Sequence, residues 1–305
     1  MSDRRKTVFD IPPSEFLNKS ERQKIKIKKS IIYAIRNRTS KHHRQLPDNE
    51  IKAIISLTSF PKRIRSLYMT IESLFEQTCP ADKIILWLSE DEFNKRKLPR
   101  TILRLQKRGL EVKWVSGNLK PYKKLYYSLK AYPDQLIITV DDDTFYPNFL
   151  IEGLLKTHQK FPKSVICYRS KKVSFDSNGN LLPYSQWSAD HDNHPNPWSF
   201  PQGVGGVLYP PNALSKQTLD KDLFTTLSPT ADDIWFKAMA LINNTLTMKV
   251  TCQNIEFPKI IGSQSASLHK INNQQKQNDT QMKCVFDHFN INQQTFLKLN
   301  KESHP

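Results

Sequence analysis

Cysteine is scarce and scattered. Cys79, Cys167, Cys252 and Cys284 are all there is, and none stands in the paired spacing of a structural zinc site. They read as reduced thiols of the core or surface. Long apolar runs are missing too. The chain is 38% hydrophobic with a mean hydropathy of -0.58, and no stretch approaches the roughly 18 to 20 residues that cross a bilayer. The opening "MSDRRKTVFDIPPSEFL" has no apolar h-region and does not read as a signal peptide, so a cytoplasmic location is expected. No internal repeat is present. Acidic residues are outnumbered, 29 against 46 Lys plus Arg, giving a formal charge of +17 and a pI near 9.6. Such a balance draws a protein toward polyanions, whether nucleic acid, an anionic membrane face or a phosphorylated substrate, without choosing among them.

With 305 residues the chain can bury a substantial core. Much of the positive charge comes early, in "KSERQKIKIKKSIIYAIRNRTSKHHR" from Lys19 to Arg44. On a helix, Ile27, Ile31, Ala34 and Ile35 fall on one side, with Lys24, Lys28 and Arg36 nearer the rim. This basic amphipathic pattern suits an anionic bilayer and equally suits a helix docked on the rest of the protein. Residues 1–48 are expected to be a basic, partly helical extension, 49–270 the main domain, and 271–305 a polar segment packed on it or trailing it.

Strand-like and helix-like stretches then alternate. "IKAIISLTSF" (51–60), "KIILWLS" (83–89), "LEVKWVS" (110–116), "LIITV" (136–140) and "SVICYR" (164–169) read as strands. Between them, 66–77, a piece closed by Gly109, 122–133 and 149–162 carry helical periodicity. The alternation predicts an α/β fold, a mostly parallel sheet with helices on both faces. Residues 174–211 are rich in Ser, Asn, Asp, Pro and aromatics, as loops shaping a cleft are. Helix returns at 231–242 and strand at "LTMKVT", and a short helix is expected near 281–290.

"LIITVDDDTFYPNF" concentrates three carboxylates where a buried strand ends. Clustered like charge must be offset by cations or solvent. In an extended segment Asp141 and Asp143 point one way and Asp142 the other. Two oxygen donors on one face suit Mg²⁺ or Mn²⁺, with water and phosphate completing the shell.

Four blocks in order, "IISLTSFPKRI" (54–64), "VDDDTFYP" (140–147), "GVGGVLYP" (203–210) and "SPTADDIWF" (228–236), resemble bacterial nucleotide-sugar glycosyltransferases with the GT-A fold, a Rossmann-like single domain. The resemblance runs from about Ile51 to Leu241. It implies transfer of a sugar, from a UDP-sugar in the first instance, to a glycan acceptor that can be lipid-linked, in the synthesis of capsule, lipopolysaccharide or similar surface polysaccharide. It also implies a cytoplasmic enzyme, peripheral to the membrane if the basic segment binds there, and no nucleic-acid partner.

Residue by residue, the resemblance assigns Thr58, Ser59, Phe60, Pro61 and Arg63 to the nucleotide end, with Ser89 and Glu90 at its rim. Asp141, Asp142 and Asp143 form the metal and diphosphate motif. Asp143 is the direct ligand, Asp141 reaches ribose or a metal-bound water, and His269 is a late metal ligand, with His288 a poorer candidate. One of Lys120, Lys123 and Lys124 is expected to meet phosphate or the aspartates, Lys124 foremost. Gly205 and Gly206 would lie beside the donor sugar, and Trp187, Trp198 and Tyr209 would offer stacking rings or anchor loops. Asp233, or else Asp232, would be the base of an inverting transfer. A capping box from Thr230 to Asp233 is the structural alternative and would leave Asp232 as base. A retaining or protein-directed transferase of the same fold, a nucleic-acid enzyme and a non-catalytic binding protein are the rival readings.

Overall fold

The computed structural model describes residues 19–46, 52–263 and 277–303. A seven-stranded sheet lies at its centre, in the order β3 (Leu110–Val115), β2 (Lys83–Ser89), β1 (Ala53–Thr58), β4 (Leu136–Thr139), β8 (Val207–Tyr209), β5 (Val165–Cys167) and β9 (Thr247–Lys249). Its first half is built from β1 (Ala53–Thr58), β2 (Lys83–Ser89), β3 (Leu110–Val115) and β4 (Leu136–Thr139), all parallel. Helices α2 (Leu67–Phe75), α3 (Arg100–Gln106) and α4 (Lys123–Ala131) connect them. Alternate side chains of each strand enter opposite layers. Ala53, Ile55 and Leu57 of β1 pack with Ile71 and Leu74 of α2 and Leu105 of α3, whereas Ile54 turns to Ile85 and Trp87.

The second half carries α5 (Leu150–Lys160), β5 (Val165–Cys167), the separate antiparallel pair β6 (Ser170–Lys172) and β7 (Ser199–Pro201), and β8 (Val207–Tyr209). After these come α6 (Lys221–Leu227), α7 (Asp232–Ile242) and β9 (Thr247–Lys249). The glycine-rich block expected to be loop is half strand: β8 is wedged between β4 and β5, antiparallel to both. Its direction matters for the site. Thr139 pairs with Val207, so β8 begins where β4 ends, and the turn that feeds it hangs over the aspartates.

Within the polar C-terminal segment, residues 277–303 carry more helix than its composition suggests. Helices α8 (Gln277–His288) and α9 (Gln293–Ser303) send Met282, Val285, Phe286, Phe296 and Leu299 into the same core layer as α7.

At the other end, α1 (Lys19–Thr39) docks on α2 and α3 with its polar side. Tyr33 and Asn37 are buried. The Tyr33 hydroxyl donates to Glu76 at 2.6 Å, Asn37 donates to the Thr101 carbonyl, and Arg36 pairs with Glu76. The expected rim residue Arg36 therefore sits against the protein, and the isoleucine side faces out. Among the described residues no helix is long and apolar enough to cross a membrane.

Candidate active site

Strands β2 and β3 extend the sheet to one side of β1, and β4 lies on its other side. In open α/β sheets a ligand crevice opens at such a reversal, beyond the carboxyl ends of the strands. Thr58 and Asp141–Asp143 stand at this point.

Asp142 faces the protein. Ser59 donates to its Oδ2 at 2.5 Å, Arg63 Nη1 to its Oδ1 at 2.7 Å, and Thr70 of α2 to its backbone carbonyl. It clasps the turn after β1 to the end of β4. The Arg63 guanidinium also pairs with Asp143 at 3.2 Å and lies over the Phe60 ring, while the Thr58 hydroxyl is spent on the Trp87 carbonyl. Pro61 is exposed at the tip of this turn.

Asp141 and Asp143 share a different cation. Lys259 Nζ is 2.5 Å from Asp143 Oδ1 and 3.9 Å from Asp141 Oδ2. It arrives through an isolated antiparallel bridge between Thr144 and Lys259, flanked by hydrogen bonds from Phe145 N to the Pro258 carbonyl and from Ile260 N to the Asp143 carbonyl. Nothing in the local sequence marks Lys259 for this place.

Lys124 joins the two acidic blocks. Buried in the first turn of α4, its Nζ is 3.1 Å from Asp141 and 3.2 Å from Asp232. Asp232 and Asp233 occupy the first turn of α7, where the helix dipole favours carboxylates. No side chain caps this helix, and Thr230 is occupied with Gln281 instead. The capping-box alternative is thereby set aside. Asp233 Oδ2 accepts from the backbone N–H of Gly203 at 3.0 Å, and the carboxylate keeps some exposure.

The shared lysine leaves the two blocks in opposite electrostatic states. Burial alone would raise Asp141, but Lys124, Lys259 and Arg63 outweigh it and hold the group at about 2. For Asp233 burial leads, the neighbouring Asp232 adds to it, and the group is pushed up to about 7 against the pull of Lys124. Asp232 is raised as well, chiefly by burial. Its Oδ2 has the ion pair with Lys124 but no well-aligned hydrogen bond.

Gly203 is the glycine that touches this centre. A Cβ there would lie 3.0 Å from Asp233 Oδ1 and 3.1 Å from Lys124 Nζ. Gly205 and Gly206, the expected contacts, turn elsewhere: a Cβ at Gly205 would meet Arg169, and one at Gly206 would meet Leu150. The stacking candidates are also committed to packing. Trp187 is buried and donates to the Leu182 carbonyl, Trp198 stacks on Phe296 of α9, and Tyr209 packs edge-on against Phe236.

Of the other expected lysines, Lys123 pairs with Glu92 and Lys120 is exposed. Ser89 is buried and Glu90 pairs with Arg96 at the surface. His269 lies outside the described residues, and His288 is exposed on α8.

Four carboxylates, Asp141, Asp142, Asp143 and Asp232, thus pair with three cations, Arg63, Lys124 and Lys259, and Asp233 adds a fifth carboxylate beside them. Fully ionised, the centre would carry two uncompensated negative charges. One proton on the Asp232–Asp233 pair halves that excess, and a bound divalent cation would cancel it. Among the described residues no group of three or more His, Cys, Asp or Glu side chains forms a metal cage. Asp141 and Asp143 do offer the two carboxylates that Mg²⁺ uses when phosphate oxygens and water supply the rest.

No family model and no curated protein matches the chain. Among solved structures, S. aureus TarS 1–349 is 14% identical, with 68% of this chain and 59% of that one covered and a TM-score of 0.45. This chain therefore spans 59% of that structure's length. A CMP:2-keto-3-deoxy-manno-octonic acid synthetase complexed with CTP is 13% identical, with 75% of this chain and 100% of that one covered and a TM-score of 0.37. What the site does has to be read from its own side chains.

Proposed function

We propose that this chain is a metal-dependent glycosyltransferase that moves a sugar from a UDP-sugar to a glycan acceptor of a bacterial surface polysaccharide, with inversion. One observation carries the reading. At the switch point of the sheet a cation-lined, strongly acidic block (Asp141–Asp143) stands across one lysine from a second carboxylate pair whose Asp233 has proton affinity in the neutral range. Phosphate chemistry and proton transfer need those two environments side by side.

In this reading Arg63 and Lys259 meet the diphosphate and Lys124 holds the two acidic blocks in register. Asp143 and Asp141 would hold Mg²⁺ or Mn²⁺, which when bound supplies positive charge to the departing diphosphate. Asp233 takes the proton of the acceptor hydroxyl. The hydroxyl oxygen bonds to the anomeric carbon, and the bond from that carbon to the diphosphate oxygen breaks, its electron pair leaving with the nucleoside diphosphate. Asp232 remains next to Lys124 and keeps the proton affinity of Asp233 high.

Calorimetric titration of UDP into the full chain tests the donor site. Binding is expected with Mn²⁺, at about micromolar affinity, and should be lost with EDTA or in Asp143→Asn. Binding indifferent to both changes would remove the metal from the reading. Absence of binding to UDP, GDP and CMP alike would remove the donor.

A further inference from the structure

The outward face of α1 has no partner within the described residues. Ile27, Ile31 and Ile35 form a ridge at successive turns, 46%, 56% and 57% exposed, and Ile32 beside it is 39% exposed. Large aliphatic side chains this open, aligned on one helix face, mark a contact surface. Lys24, Lys28 and Arg38 are interleaved on the same face and are exposed. Across residues 19–44 ten Lys and Arg stand against one acid, Glu21. The cleft at the flank of α1 is lined by Lys29, Arg36, Arg44 and Arg108 against one acid, Glu76.

We infer that this face lies on an anionic phospholipid bilayer, with the isoleucines at the acyl boundary and the basic side chains among the headgroups. Charge complementarity selects this occupant. An apolar ridge threaded with lysines is poorly suited to self-association, because a second copy would bring like charges together, whereas anionic headgroups neutralise them while the isoleucines leave water. Lysine stems can lie along the apolar surface and keep their ammonium groups at the headgroup level.

The docked side of the helix gives this surface a bearing on the site. Tyr33 packs against Phe145 with ring centroids 5.9 Å apart, and both join Ile260 in one small apolar cluster. Phe145 and Ile260 each lie one or two positions from Asp143 and Lys259 in the chain, and Ile260 is hydrogen-bonded to the Asp143 carbonyl. A bilayer on the outer face of α1 therefore lies one helix thickness from the segment that holds the aspartates. The membrane contact itself does not depend on the donor reading, and its test uses no nucleotide.

The experiment is co-sedimentation of the full chain with phosphatidylcholine vesicles, with and without phosphatidylglycerol. Wild type should sediment only with the phosphatidylglycerol vesicles and be released by high salt. Replacing Ile27→Ser, Ile31→Ser and Ile35→Ser together should lower partitioning by about tenfold or more, since three exposed aliphatic side chains no longer leave water. The melting temperature should hold, because these side chains touch little of the protein. Lys24→Glu with Lys28→Glu should weaken binding without removing any apolar surface. A wild-type chain that stays in the supernatant with anionic vesicles would overturn the inference, as would a triple variant that binds like wild type. A wild-type dimer in light scattering that the triple variant converts to monomer, with no vesicle binding by either, would assign the face to a second copy instead.

Discussion

Asp141, at the end of β4, pairs with Lys124 directly, whereas Asp233, in the first turn of α7, stands behind Asp232, which holds the same ammonium group. Their proton affinities lie far apart. Asp141 is surrounded by Lys124, Lys259 and Arg63 and stays ionised down to about 2, whereas Asp233 has a carboxylate neighbour, a single backbone N–H and burial, and holds its proton to about 7. Residue type and sequence context are nearly alike, since each belongs to a short acidic run. What differs is how many cations reach each run, and that is decided by which strands and helices end nearby. One run is suited to holding phosphate and a metal, the other to taking a proton.

Removing the shared lysine would break the contrast most completely. Lys124→Ala leaves Asp141 and Asp232 without their buried cation. Loss of one partner from a buried pair costs about 3–5 kcal/mol, so urea denaturation should show a drop of that order, with activity lost along with it. Lys124→Arg, which keeps the charge in a wider head, should recover stability more than activity.

Asp233→Asn should split the two halves. Loss of a general base lowers turnover by about 10²–10⁴-fold, while UDP binding, measured by calorimetry, should stay near wild type. The pH dependence carries opposite signs for the two aspartates. Asp141, held below its ordinary 3.8, stabilises the fold above that value, and the contribution fades as pH falls toward 2. Asp233, raised above 3.8, favours the fold below that value and loses the contribution as pH rises toward about 7. Stability between pH 4 and 7 should therefore slope less in Asp233→Asn than in wild type, and wild-type turnover should rise with pH through about 7. An unchanged slope together with unchanged turnover would remove Asp233 from its role.

A smaller effect comes from the turn above the site. In Gly203→Ala the new methyl presses on Asp233 and Lys124, and displacement of the base should reduce turnover by about tenfold with little change in melting. Gly205→Ala presses on Arg169 instead, away from the carboxylates. It should cost about 1–3 kcal/mol of stability, as overpacking does, and leave activity per folded molecule intact. If the two variants behaved alike, Gly203 would have no special place.

The first half of the sheet was readable from sequence because parallel strands buried on both faces appear as continuous apolar runs. "KIILWLS" coincides with β2 from Lys83 to Ser89. β8 was not readable: three residues are too few to show a period, and Val207–Tyr209 is a strand only because β4 and β5 flank it. Helix α1 was legible as a helix, but its inward face was not. Hydrophobicity points to the isoleucines, whereas Glu72 on α2 and Glu76 just past its end select Tyr33, Arg36 and Asn37. At the site, the aspartate runs and Lys124 stood out by clustering and position. Lys259 comes from about 116 positions beyond Asp143, and Gly203 was hidden among other glycines, since which of them faces the carboxylates depends on the path of the turn.

The late arrival of β8 has a consequence for the order of assembly. β1 meets β2 between Ile54 and Lys83, but β4 meets β8 between Ile137 and Tyr209, across a far longer loop. Closing a longer loop costs more chain entropy before any contact rewards it, and such pairings form slowly. Pulse-labelled refolding should therefore show amides of β1 and β2 protected before those of β8, and simultaneous protection would refute that order. Until β8 is seated, Gly203 has no fixed position and Asp233 lacks its backbone donor. A partly folded chain with β1 and β2 already paired would still lack the turn over the aspartates, so in the reading proposed above the base would be among the last parts of the site to be set.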